Sequence, residues 1–153
     1  MEEFRDKHYE EKVITIDRVS RTVKGGKRIS FRALLIVGDK QSKVGIGIGK
    51  GAEVAIAIRK ASTKAKKQMI EIKTNENGSI KKEVLAKLGS ATILLKPAPE
   101  GTSIIAGGVV RAVAELAGIK NLVAKSYGTN NKINIAKAVL KGLIEAGENG
   151  NTN

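Results

Sequence analysis

From Lys12 to Val19 the chain reads KVITIDRV, a β-branched run that predicts a strand. Paired glycines then interrupt the pattern at Val23-Lys24-Gly25-Gly26-Lys27-Arg28. A second strand is expected from Ile29 to Val37, closed by a turn at Gly38-Asp39. Val44 to Ile48 predicts a third strand, which places Gly45, Gly47 and Gly49 on one face. Beyond it the period changes from two to nearly four. Val54, Ile58, Ala61, Ala65 and Met69 mark the inner face of a helix that starts near Gly51 or Ala52 and ends about Met69. Lys60, Lys64 and Lys67 form a separate stripe on it, with Arg59 and Lys66 nearby. The first half is thus expected to be a βββα unit, a three-stranded antiparallel sheet backed by one basic helix.

Lys73 to Lys82, with Asn75, Asn77 and Gly78, is polar and turn-rich and reads as a link between two small domains. After it, Ala91 to Leu95 predicts a strand ending at Lys96-Pro97-Ala98-Pro99. Gly107 to Ala117 predicts a helix with Val109, Val113 and Leu116 on one face and Gly118 as its C-terminal stop. Asn121 to Tyr127 predicts a strand. Asn134 is the expected N-cap of a last helix that runs through Ile144 and turns Val139 and Leu143 inward. The division expected is a flexible tail over 1–11, an N-terminal domain over 12–72, a C-terminal α/β domain over 73–146 and a disordered tail over 147–153. The fold class is α+β.

Charge changes the picture most. The 153-residue chain has a net charge of +13, from 28 Lys and Arg against 15 Asp and Glu. Residues 12–67 hold 15 of the cations and three carboxylates (Asp17, Asp39 and Glu53), a net of +12, which leaves +1 for the other 97 residues. An excess that local points to a polyanion, with nucleic acid ahead of an anionic membrane surface. Aromatic content narrows the choice. Phe4, Tyr9, Phe31 and Tyr127 are the whole supply, too few for stacking single-stranded bases or for anchoring in a membrane. Structured RNA, held through phosphates and shape, is the expected ligand.

Several chemistries drop out. Without cysteine the chain has no disulfide, thiolate metal site or cysteine nucleophile. Its single histidine, His8, lies in the expected tail, and neither a His/Cys metal spacing nor an apolar carboxylate pair occurs. No enzyme activity, metal, cofactor or small-molecule substrate is expected. The absence of any apolar run near the ~18 residues of a membrane span, with Glu2, Glu3 and Asp6 near the start, leads to the expectation of a cytosolic protein with no membrane partner.

The densest cluster is Arg21, Lys24, Lys27, Arg28 and Arg32 around Gly25-Gly26, which suits a basic hairpin tip reaching phosphates. Gly45-Ile46-Gly47-Ile48-Gly49-Lys50-Gly51 looks like a nucleotide loop but fails the Walker pattern, because Val44 stands at the first glycine and Gly51 at the Ser/Thr position. A bare strand face approached by RNA backbone and one approached only by a helix are both open readings of it. The Lys60, Lys64, Lys67 stripe is either a phosphate contact or a solvated face. The candidate RNA-binding residues are Arg18, Ser20, Arg21, Thr22, Lys24, Gly25, Gly26, Lys27, Arg28, Arg32, Gly45, Gly47, Gly49, Lys50, Arg59, Lys60 and Lys64. A free RNA chaperone and a nucleotide-dependent enzyme are the alternatives; the missing Ser/Thr argues against the second.

Arg18 to Gly26, Val44 to Lys50, Leu95-Lys96-Pro97-Ala98-Pro99-Glu100-Gly101-Thr102, Ile104 to Gly108 and Ala124-Lys125-Ser126-Tyr127-Gly128 occur in order. Together they resemble the bacterial form of the family of the fifth protein of the small ribosomal subunit, over about residues 12–146. The resemblance implies an N-terminal double-stranded-RNA-binding-like domain and a C-terminal βαβα unit with a left-handed crossover. It also implies a structural, rRNA-binding role on the solvent side of the small subunit, where body meets head, with an influence on decoding accuracy. It implies contacts with small-subunit ribosomal RNA and with the neighbouring proteins numbered four and eight, and no homo-oligomer. The loop matched by Ser20 to Arg28 is implied to reach toward the head, near the spectinomycin site. Lys81-Lys82, Lys132 and a short C-terminal tail depart from the family's usual pattern.

Overall fold

The computed structural model describes residues 9–147. Strands β1 (Glu10–Val23), β2 (Gly26–Gly38) and β3 (Lys43–Gly51) are followed by helix α1 (Val54–Lys67) and a two-residue strand β4 (Ile70–Glu71), which makes an antiparallel sheet of order β1-β2-β3-β4. Strands β5 (Val84–Leu88), β6 (Ala91–Pro97) and β7 (Ile104–Ile105), helix α2 (Gly108–Ala117), β8 (Leu122–Tyr127) and α3 (Lys132–Gly147) complete the chain. Their sheet has the order β5-β6-β8-β7, with β7 and β8 parallel across α2 and the other pairs antiparallel. The α+β class and both expected units are present. β4, β5 and β7 are additions, two of them only two residues long and too short for a period to register.

Glycine and alanine decide how β3 meets α1. A Cβ at Gly49, Gly47 or Gly45 would lie 2.4, 2.0 or 2.3 Å from the carbonyl oxygens of Ala57, Ala61 and Ala65 respectively. The ladders are commensurate. Two strand residues rise about 6.6 Å and four helix residues about 6.0 Å, so each glycine meets its own alanine. The buried face of α1 is therefore Ala57, Ala61 and Ala65, and Val54, expected inside, is 36% exposed. The helix is rotated by the glycines, which admit only the smallest side chains.

β2 carries the other decisive pattern. Ala33, Leu35 and Val37 pack toward α1, whereas Leu34 and Ile36 join a larger cluster with Val44, Ile46 and the C-terminal half. α2 lies against β1, β2 and β3, while α3 lies against β5 and β6 and against α2. The layers run α1, first sheet, α2 with α3, second sheet. Seven of the ten residues of α2 are buried as a result. A backbone contact closes the junction: Lys40 donates its N–H to the Leu116 carbonyl at 2.9 Å. Gly118, the left-handed stop of α2 at φ 86°, sits where a Cβ would be 2.6 Å from the Lys40 carbonyl.

Three expectations need correction. Glu10 and Glu11, read as flexible tail, begin β1, and Glu11 takes a hydrogen bond from Ser62 and an ion pair from Lys66 at 3.2 Å. The rest of that tail, residues 1–8, and residues 148–153 of the other lie outside the described residues, whereas Gly147 ends α3. The segment read as a link is packed. Asn75 Oδ1 accepts the N–H groups of Asn77 and Ser79, and buried Asn121 donates its side-chain amide to the Asn77 carbonyl at 2.7 Å. Ile72 and Ile80 reach the shared core from either end of it. Finally, α3 is capped by Asn131, whose Oδ1 accepts the Ile133 N–H at 3.1 Å, and not by Asn134.

Two outcomes follow for stability. Gly47→Ala should cost about 3 kcal/mol by overpacking against α1, whereas Gly108→Ala, in open space at the start of α2, should gain up to ~0.5–1 kcal/mol; urea unfolding of both variants checks the contrast. Asp39 closes the β2–β3 turn by accepting the N–H groups of Gln41, Ser42 and Lys43 at 2.8–2.9 Å. Burial alone would raise its carboxyl, but the hydrogen bonds from Ser42, Lys43 and Gln41 hold it below the ordinary 3.8. Its contribution is therefore present above the unfolded value and is lost as pH falls through the lower folded value. Asp39→Ala should cost about 1–2 kcal/mol at pH 7, and the gap from the parent should narrow on acidification below the ordinary aspartate range. A gap independent of pH would show that the carboxylate is not the source.

Candidate nucleic-acid interface

The β2–β3 ladder stops at Phe31 opposite Gly51, yet β1 and β2 go on pairing to Val23 opposite Gly26. Residues 18–30 therefore form a two-stranded ribbon beyond the sheet, with Lys24-Gly25 at its tip. Gly25 and Gly26 take φ of 103° and 151° with open space around both. They are needed for the backbone of the turn and not for room.

Opposed residues of an antiparallel pair share a face. Arg21 stands opposite Arg28, and Asp17 opposite Arg32, on the face that the C-terminal half covers further along. Arg18, Ser20, Thr22 and Lys27 lie on the α1 side, as does Phe31, which packs there. A directly opposed Arg21–Arg28 pair is unfavourable by itself. Among the described residues, the ion pairs are Arg32–Asp17, Lys40–Glu10, Lys66–Glu11 and Arg111–Glu115. None reaches the ribbon cations Arg18, Arg21, Lys24, Lys27 and Arg28, all exposed.

The remaining candidates divide. Lys50 is exposed and opposite Arg32. Arg32 binds Asp17 Oδ2 at 3.2 Å through Nη2, while its Nε is buried and unpartnered. It faces a cleft of about 370 Å³ lined also by Thr15, Asn130, Asn131 and Lys132. The last three belong to the C-terminal half, and no sequence signal ties them to Arg32. Arg59, Lys60 and Lys64 are exposed along α1. Gly45, Gly47 and Gly49 are not at a surface. They are buried beneath α1, and of the two readings of the glycine ladder the geometry gives helix packing.

Among the described residues no group of three or more His, Asp or Glu is arranged to hold a metal ion. Nor, among the same residues, is any helix long and apolar enough to cross a membrane.

Comparison with known proteins matches the two halves separately. Residues 9–73 match the family described as ribosomal protein S5, N-terminal domain, and residues 86–146 match ribosomal protein S5, C-terminal domain. The chain is 52% identical over 145 residues to the small ribosomal subunit protein uS5 of Thermotoga neapolitana, covering 95% of this chain and 81% of that one. It is 45% identical over 139 residues to the protein of that name in Crocosphaera subtropica, with 91% and 80% covered. With the uS5c protein of Emiliania huxleyi it shares 44% over 135 residues, with 88% and 85% covered. The basic ribbon is thus carried by a two-domain chain that belongs to the ribosomal protein S5 family.

Proposed function

We propose that this protein is a structural component of the small ribosomal subunit that binds its ribosomal RNA, chiefly through the β1–β2 ribbon, and catalyses nothing. The observation that carries this reading is the ribbon itself. Five cations, including the opposed Arg21 and Arg28, share one projecting element without an ion-pair partner among the described residues. A row of phosphates turns that repulsion into attraction. Arg59 and Lys60 extend the basic surface onto α1 on one face of the sheet, Lys50 and Arg32 extend it from the ribbon base on the other, and Ser20 and Thr22 add hydroxyl donors between the cations.

Family membership supports the finer reading that the ribbon lies where body and head of the subunit meet and that its position bears on decoding accuracy. The C-terminal half faces protein neighbours, the family's proteins four and eight. Leu85 and Ile105, each more than half exposed on the second sheet, support that role, because an RNA-facing surface gains little from aliphatic side chains.

Lys24→Glu together with Arg28→Glu should leave the melting temperature unchanged, since neither side chain touches the core. The same pair should lower the log–log salt slope of binding to small-subunit RNA by roughly 1.8, about 0.9 for each phosphate contact. Unchanged slope and unchanged incorporation into subunits would remove the ribbon from the interface. The chain has no cysteine, so Lys27→Cys offers a unique attachment point for a tethered hydroxyl-radical source. Cleavage of both head and body RNA is the expected pattern, and cuts confined to one of them would refute the junction. A codon-misreading reporter, run with the Lys24, Arg28 double variant as sole copy, should report altered error frequency.

A further inference from the structure

The first sheet is left open along most of one side. β4 pairs with β3 only at Lys43 and Val44, and at Ile72, which donates to the Ser42 carbonyl at 2.6 Å, the chain turns into the core. In an antiparallel ladder each residue directs its N–H and C=O to the same side, and the side alternates. Because Ser42 faces β4, so do Ile46, Ile48 and Lys50. Among the described residues, no hydrogen bond reaches these outward groups. Between Val44 and Gly49 the edge is apolar, with Lys43 and Lys50 only at its two ends, and it has no bulge or proline to blunt it.

A groove of about 290 Å³ runs beside this edge, lined by Ile46, Ile48, Lys64, Gln68, Lys137 and Leu140. α1 and its C-cap supply one wall with Lys64 and Gln68, and α3 supplies the other with Lys137 and Leu140. Among the described residues, no carboxylate lines it. We propose that this groove receives an extended acidic segment of a partner protein, which adds to β3 as a strand in the line that β4 leaves.

The backbone chemistry selects a peptide over RNA. The free edge alternates donors and acceptors, as a β-strand does. RNA phosphates bring acceptors alone, so only scattered 2′-hydroxyls could donate to the Ile46 and Ile48 carbonyls, whereas an added strand offers an N–H to each. The walls select the sequence: Lys64 and Gln68 on the α1 side favour carboxylates, whereas Ile46, Ile48 and Leu140 on the α3 side favour aliphatic residues. Alternation of acidic and aliphatic residues fits both walls, with Lys137 at the rim. The inference is independent of the ribbon's role, and the Lys24, Arg28 double variant should retain it in full.

The test uses the full chain, isotopically labelled, with a short synthetic peptide of alternating valine and glutamate as the probe. The peptide should shift the amides of Ile46, Ile48 and Lys50 and slow their hydrogen exchange. N-methylation of alternate peptide amides should weaken binding by at least about tenfold, as loss of backbone hydrogen bonds requires. Lys64→Glu with Lys137→Glu, both exposed, should weaken it similarly without lowering the melting temperature. No change at those three amides, or equal binding of the N-methylated peptide, would overturn the proposal. So would protection of the amides by duplex RNA but not by peptide, or protection already present through pairing of two copies of the chain in sedimentation.

Discussion

Between Ala33 and Val37, β2 has no polar side chain, and five consecutive apolar residues of a strand cannot be buried by one partner. Alternation divides them. α1 takes Ala33, Leu35 and Val37, and only a second layer can take Leu34 and Ile36. Burying two such side chains is worth about 3–6 kcal/mol, comparable with the whole stability of a small domain. The two family domains are therefore two halves around one strand, joined by a core and not by a linker. The packed Asn75–Asn121 segment and the Lys40–Leu116 contact are the polar fittings of that arrangement.

The same constraint explains why the ribbon can project. β1 and β2 continue beyond β3 as a pair that would be marginal alone. Their inner ends are held in a core closed on both faces, and the Asp17–Arg32 ion pair lies where the ribbon leaves it. Seating α1 on Gly45, Gly47 and Gly49 costs backbone freedom, and it brings the helix close enough for its alanines to touch the strand. A base held on both faces keeps the ribbon paired although Arg21 and Arg28 oppose each other on it.

Most of this was legible where one physical rule governed. The strand and helix periods located every long element to within a few residues. The paired glycines located the turn but not its register: the loop is Lys24-Gly25, which sets Val23 opposite Gly26 and so Asp17 opposite Arg32 and Arg21 opposite Arg28, two residues away from the pairing that a turn centred on Gly25-Gly26 would give. That arithmetic holds as far as the irregularity between Val13 and Thr15. What failed to show was tertiary. The helix face shifted from Val54 to Ala57 because of glycines on another element. Asn75 and Asn121 have the composition of a loop but the burial and bonding of a clasp. The cleft residues Asn130 to Lys132 reach Arg32 only through domain packing, which no local pattern encodes.

The face of β2 that holds Leu34 and Ile36 also has a history during synthesis. The ribosome delivers the chain from its N-terminus, so β1, β2, β3 and α1 emerge well before Val109 to Ala117 of α2. Until then Leu34, Ile36, Val44 and Ile46 lack the layer that covers them, and the nascent first half is a one-sided sheet with an apolar flank. The order of the genetic message makes this chain depend on its last-made half to finish its first.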